Sequence, residues 1–285
     1  MKIIRAKYSV TDVTDIIKQK VVDNRLVIRV DNNICGDPSI GVVKSLTIDY
    51  EIEGKLFTKA CSENSILSIP DSKYDRLGIF YSNNNNPETY KTINDSLESI
   101  RIACEGKADI LTCVWNPIST NPFVQIIAQT KTTSHLNQVL QILQLLYTAR
   151  NINQYKYVSF LEHDCLYPIG TFDYPDFDEG MICNMNYIGV CRGGWQKRNQ
   201  DDKPLSQITM RFDDAIKHFE SILPNAILTN SGLVEPQLKI NEWMSENSSV
   251  HVNHGHHFTS HFSIYSKDNL TENHPYWGNY NVYLK

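Results

Sequence analysis

The chain has 285 residues, 41% hydrophobic and 21% charged, with a formal net charge of -5 and a pI near 6.0. That length allows roughly two domains at ~100–200 residues each, and the composition excludes a disordered, collagen-like or fibrous chain. The acidic balance argues against a protein that grips duplex DNA mainly through phosphates.

The first seventy residues predict a small β-rich domain. IIRAKYSV and RLVIRV are short β-branched runs, and SLTIDYEIEGKLFTKAC reads as two strands around a Glu53-Gly54 turn. SILSIP closes the set, DNNICGDPSIG is a loop, and VTDIIKQKVV fits a short helix. No cluster of catalytic residue types falls here. PDSKYD (70–75) is the predicted linker.

From Leu77 the pattern becomes strand–helix–strand–helix–strand. LGIFYS is a strand, the Asn83–Asn86 run with Pro87 a polar loop, and PETYKTINDSLESIRIAC a helix ended by Gly106. ADILTCVW is a second strand. SHLNQVLQILQLLYTAR is a helix with Leu136, Val139, Leu140, Leu143 and Tyr147 on one face and Ser134 or Thr133 as N-cap. YKYVSFL is a third strand. Right-handed crossovers between such strands make a parallel sheet, covered by helices, with ligands bound outside its carboxyl end. Neither GxGxxG nor GxxxxGK[ST] is present, which disfavours a nicotinamide or flavin dinucleotide and excludes a P-loop.

Four features can carry chemistry. Glu162 and Asp164, two residues apart at a strand end, offer carboxylates that hard cations such as Mn²⁺ and Mg²⁺ favour. An exposed acidic turn is the plainer alternative. Six of the nine histidines (His251, His254, His256, His257, His261 and His274) lie within 251–274, where HExxH is absent. In RGGWQKRNQDDKP, Gly193-Gly194 permits close backbone approach, Trp195 can stack on a sugar or base, and Lys197, Arg198 and Arg211 can meet phosphates. Asp201, Asp202, Asp213 and Asp214 are candidate general bases, although DDAIKHF also fits a helix N-terminus. The seven cysteines, odd in number and without a CxxC pair, predict free and mostly buried thiols. Cys165, flanked by acids, is expected to be structural.

Taken in order, LGIFYS with NNNNP, ADILTCVW, SHLNQVLQILQLL and above all YVSFLEHDCLYP resemble a GT-A type glycosyltransferase over about residues 75–285. The resemblance implies a Rossmann-like, mostly parallel α/β domain at 75–285, preceded by the β-rich domain at 1–70. EHD is similar to the DxD motif, with Glu162 in the first acidic place and Asp164 in the second. HFTSHF resembles the segment that supplies a metal-binding histidine, His261 first and His257 or His256 next. The implied activity is a metal-dependent hexosyl transfer, with Mn²⁺ or Mg²⁺ held by Asp164, Glu162, His261 and His257. Its donor is a nucleotide-sugar of UDP type, bound by Ser82, Asn83, Asn84, Glu162, Trp195 and Arg198. Asp213, Asp214 or Asp202 takes the acceptor proton if the enzyme inverts. The acceptor is a glycan, a small molecule or a hydroxymethylated DNA base. A non-catalytic carbohydrate-binding protein is the reading from a different class. The start MKIIRAKYSVTDVTDII carries no signal-peptide pattern and no apolar run is long enough for a membrane helix, so the expected compartment is the cytosol.

Overall fold

The structure is a computed structural model that describes residues 1–22, 24–52, 54–69, 74–132, 134–191, 194–197, 203–229, 238–252 and 271–283. It contains two compact units, one of residues 1–73 with 147–154, the other of residues 74–146 with 155–285.

The first unit runs β1 (Lys2–Tyr8), β2 (Thr11–Asp12), α1 (Thr14–Gln19), β3 (Leu26–Arg29), β4 (Ser45–Ile52), β5 (Lys55–Ser62) and β6 (Ile66–Ile69). A four-stranded antiparallel sheet has the order β2-β1-β4-β5, and β3 pairs with β6. Strand periodicity is visible in β4, where Leu46, Ile48 and Tyr50 point to one side and are buried. They meet Ala6, Tyr8, Ile17, Leu26 and Leu67 in one core. Gly54, at φ 78°, makes the β4–β5 turn.

The second unit begins with β7 (Arg76–Ser82), α2 (Tyr90–Cys104), β8 (Asp109–Val114), β9 (Val124–Ile127), α3 (His135–Arg150, whose residues from Tyr147 on belong to the first unit), β10 (Tyr157–Glu162) and β11 (Cys165–Leu166). It continues through β12 (Met181–Asn184), β13 (Tyr187–Cys191), β14 (Gly194–Lys197), β15 (Ile208–Arg211) and α4 (Phe212–Thr229). The last strands are β16 (Ile240–Trp243), β17 (Ser249–Val252), β18 (Asn273–His274) and β19 (Gly278–Asn279). The fold is mixed α/β. A seven-stranded sheet has the order β16-β12-β15-β10-β7-β8-β9, and only β15 opposes its neighbours. β8 is buried at every position, as a strand covered on both faces must be. Phe80, Leu97, Ile100, Ile110, Leu161 and Phe172 belong to one buried cluster. Ser134, the expected cap, accepts from the Asn137 N–H at 3.4 Å. A second sheet, β11-β17-β13-β14, lies beyond the end of β10 in the chain. No helix among the described residues is long and apolar enough to cross a membrane.

Candidate functional site

The parallel register fixes which residues emerge at one end of the large sheet. Glu162 is opposite Tyr81 in the β10–β7 pair, and Ser82 is opposite Val114 in the β7–β8 pair. The asparagine loop and EHD therefore share the carboxyl end, where α/β sheets bind ligands.

β10 stops at Glu162, and the turn through His163 and Asp164 breaks the alternation that would have aimed both carboxylates to one side. The two acids go separate ways. Glu162 Oε1 accepts from the Tyr81 hydroxyl at 3.0 Å and from Gln138 Nε2 at 3.4 Å, while its backbone N–H donates to the Tyr167 hydroxyl at 2.8 Å. Burial first, with the Glu162 charge adding to it, pushes both phenols well above the ordinary tyrosine range, so they stay protonated.

Asp164 turns instead toward β17. Its Oδ2 lies 2.9 Å from His251 Nε2, both side chains being mostly covered. The backbone holds this pair: the Val252 N–H donates to the Asp164 carbonyl at 2.7 Å, and Cys165 is directly opposite His251 in the antiparallel β11–β17 ladder. One ligand atom each from Asp164, Cys165 and His251 fall within 4.8 Å of one another. A carboxylate and an imidazole at this separation fit the donor set of a divalent cation. Glu162 does not join that group, because Tyr81 and Gln138 draw its carboxylate aside. The histidine that meets Asp164 is His251, which the sequence reading placed in the histidine-rich segment but did not select. Its alternation with the buried Val250 and Val252 was the available signal. His257 and His261 lie outside the described residues, as do Arg198 and Asp202.

The expected donor loop is largely spent on its own architecture. Ser82 and Asn84 are buried; Ser82 Oγ accepts from the Asn84 N–H at 3.1 Å. Asn84 Oδ1 accepts from the N–H groups of Trp115 and Asn116, and its Nδ2 donates to the Asn116 carbonyl. Asn83, half-buried, lies 2.7 Å from the Asn137 amide and is the member of the three left partly open.

Trp195 is 3% exposed and packs with Val190, Val250 and Val252, its Nε1 donating to the Gly278 carbonyl at 2.8 Å. It offers no open face for stacking. The close approach that Gly194 permits is to the chain itself: at φ 141°, a Cβ there would lie 2.6 Å from the Thr271 carbonyl oxygen. Asp213 and Asp214 form the first turn of α4, and Asp214 pairs with Lys217 at 3.6 Å. Arg211 is opposite Tyr157, and the Phe212 N–H donates to the Lys156 carbonyl. Both acids thus start at the amino end of β10, about 17 Å along the strand from Glu162 at ~3.3 Å per residue. The antiparallel run of β15 puts them there, and it removes them as bases for a reaction at the EHD end.

No protein-family model and no curated protein matches the chain. Among solved structures it is similar to a glycosyltransferase involved in the glycosylation of the major capsid of PBCV-1, with 11% identity and a TM-score of 0.39 over 61% of this chain and 91% of that one. It is also similar to the galactosyltransferase LgtC in complex with donor and acceptor sugar analogs, with 10% identity and a TM-score of 0.35 over 56% of this chain and 66% of that one.

Proposed function

We propose that the chain is a cytosolic glycosyltransferase that moves a hexosyl group from a nucleotide-diphosphate sugar of UDP type to the hydroxyl of a glycan or small-molecule acceptor. The supporting observation is the Asp164–His251 pair at 2.9 Å, set just past the carboxyl end of β10 in a mostly parallel α/β sheet. A divalent ion bound by that pair would neutralise the diphosphate as the sugar departs. Asp164 contributes charge and His251 a neutral nitrogen, both fixed by the β11–β17 ladder rather than by a loose loop. Tyr81 and Gln138 orient the Glu162 carboxylate as an acceptor for a donor hydroxyl. Asp202 is the proposed base toward the acceptor hydroxyl, since Asp213 and Asp214 stand at the opposite end of β10.

Thermal unfolding with a panel of nucleotide-sugars, with and without Mn²⁺, tests this. A ligand at a hundred times its Kd stabilises by about 2.7 kcal/mol. The expected result is a cation-dependent rise in Tm with one nucleotide class, lost in Asp164→Asn and His251→Ala. Equal shifts without the cation, or in Asp164→Asn, would overturn the reading.

A further inference from the structure

The Asp164–His251 pair has a neighbour that a site for a hard ion does not need. Cys165 is fully buried, and it is the residue directly across the β11–β17 ladder from His251. Facing residues of an antiparallel pair project to the same side of the sheet. The Asp164 carboxylate lies between the two: Oδ2 is 2.9 Å from His251 Nε2, and Oδ1 is 3.8 Å from Cys165 Sγ. A cation with a metal–sulfur bond of about 2.3 Å and metal–nitrogen or –oxygen bonds of about 2.0–2.2 Å holds its ligand atoms roughly 3–4 Å apart. The three donor atoms here lie mutually within 4.8 Å, close to that spacing.

We propose that Cys165 is the third protein ligand of this cation, and that the site therefore selects a borderline-soft ion such as Zn²⁺, Co²⁺ or Fe²⁺ over Mg²⁺. The proposal rests on the Asp164–His251 cation site argued above. It also revises the expectation of Mn²⁺ or Mg²⁺, which took account of carboxylates and histidines alone. Sulfur, nitrogen and oxygen donors together favour the later first-row metals, whereas Mg²⁺ favours oxygen and water. The thiol proton passes to solvent as the metal–sulfur bond forms, so binding releases one proton. Three protein ligands leave a fourth position open, as a site that acts on a bound oxygen requires.

Titration of the full-length, chelator-stripped protein with Co²⁺, followed by absorption, tests both levels. The expected spectrum has visible bands of tetrahedral cobalt and a near-ultraviolet thiolate-to-cobalt charge-transfer band. Cys165→Ser should lose the charge-transfer band and bind Co²⁺ more weakly, by more than the roughly 10–100-fold typical of losing an outer-shell partner. Zn²⁺ should displace the cobalt stoichiometrically, and a hundredfold excess of Mg²⁺ should not. Cobalt that binds wild type, fails to bind Asp164→Asn and His251→Ala, and shows no charge-transfer band would remove Cys165 and leave the cation site standing. A band that persists in Cys165→Ser would do the same. Absence of any cobalt binding by the wild type would overturn the cation site and this proposal together.

Discussion

Asn84 shows how a polar loop at the end of a buried strand supports itself. Its backbone is left-handed, at φ 28°, a conformation that asparagine tolerates better than most residues. Its side chain then reaches the turn after β8, where its Oδ1 accepts from the N–H of Trp115 at 2.9 Å and of Asn116 at 3.0 Å and its Nδ2 donates to the Asn116 carbonyl at 2.7 Å. Alanine would strand those backbone groups, each costing about 1–3 kcal/mol when buried. Asn84→Ala should lower unfolding stability by about 3 kcal/mol in a denaturant titration. Asn85→Ala, at an exposed position of the same loop, should change stability little; a loss as large as that of Asn84→Ala would show that the loop does not depend on the Asn84 bonds. At Gly194 the demand is steric. Alanine there must fit beside the Thr271 carbonyl at a φ of 141°, and such strain costs on the order of 1–3 kcal/mol, read in the same titration. Neither role was visible in the strings NNNN and GGW, because each depends on a segment dozens of residues away that only the folded chain brings alongside.

Elements whose signals are local were legible. The β4–β5 hairpin, the N-cap of α3 and the run of β7, β8 and β10 follow from periodicity and turn residues within a short window, whereas the buried face of α3 is displaced from the predicted one: Ile142, Leu145 and Leu146 are buried beside Val139 and Leu143, and Tyr147 is 42% exposed. The direction of β15 did not, since ITMR reads identically up or down a sheet. That one inversion separates Asp213 and Asp214 from Glu162 and Asp164. The turn after Glu162 likewise hid the parting of the two acids. In the first unit, the loop between β3 and β4 is held by a buried lysine. Lys44 Nζ contacts Asp37 at 3.0 Å, Glu63 at 3.4 Å and the Val42 carbonyl at 3.0 Å, with its side chain only 4% exposed. Burial pulls the Lys44 pKa down, but its hydrogen bonds to Asp37 and Glu63 outweigh this and leave it raised. Asp37 is held low first by Lys44. Burial pushes Glu63 up, yet the Lys44 N–H, the Tyr8 hydroxyl and the Lys44 ammonium bring it below the usual range. Carboxylates depressed in the folded state contribute stability that is complete above their unfolded values, near pH 4, and lost as pH falls through the folded ones. The Tm should therefore fall with acidification below about pH 4. Lys44→Met, which removes the cation that depresses both acids, should start from a lower Tm at neutral pH and lose less of it on acidification; a superimposable pH profile would discount the lysine.

At the scale of the whole chain, the two units have separate cores, one around Tyr8, Leu46 and Leu67, the other around Phe80, Leu97 and Leu161. A cation that binds Asp164 and His251 couples β11 to β17 inside the second. β11 has two residues and is an edge strand whose neighbour is β17, so few hydrogen bonds resist its local opening. Closing that edge with an ion favours the paired state by mass action: at a hundred times Kd the gain of about 2.7 kcal/mol corresponds to roughly hundredfold slower exchange of amides that open with the site. Hydrogen exchange read by mass spectrometry should therefore show peptides spanning Asp164–Leu166 and Ser249–Val252 slowed on adding Zn²⁺ or Co²⁺, with the Val252 N–H, bonded to the Asp164 carbonyl, among the protected amides. Peptides of β4 and β5 should exchange at an unchanged rate. His251→Ala should abolish the slowing in β11 and β17 without altering exchange elsewhere. Slowing spread equally over both units would point to adventitious binding at the many surface carboxylates, whereas slowing confined to β11 and β17 ties the cation to the strand pair that places a carboxylate, a thiol and an imidazole together.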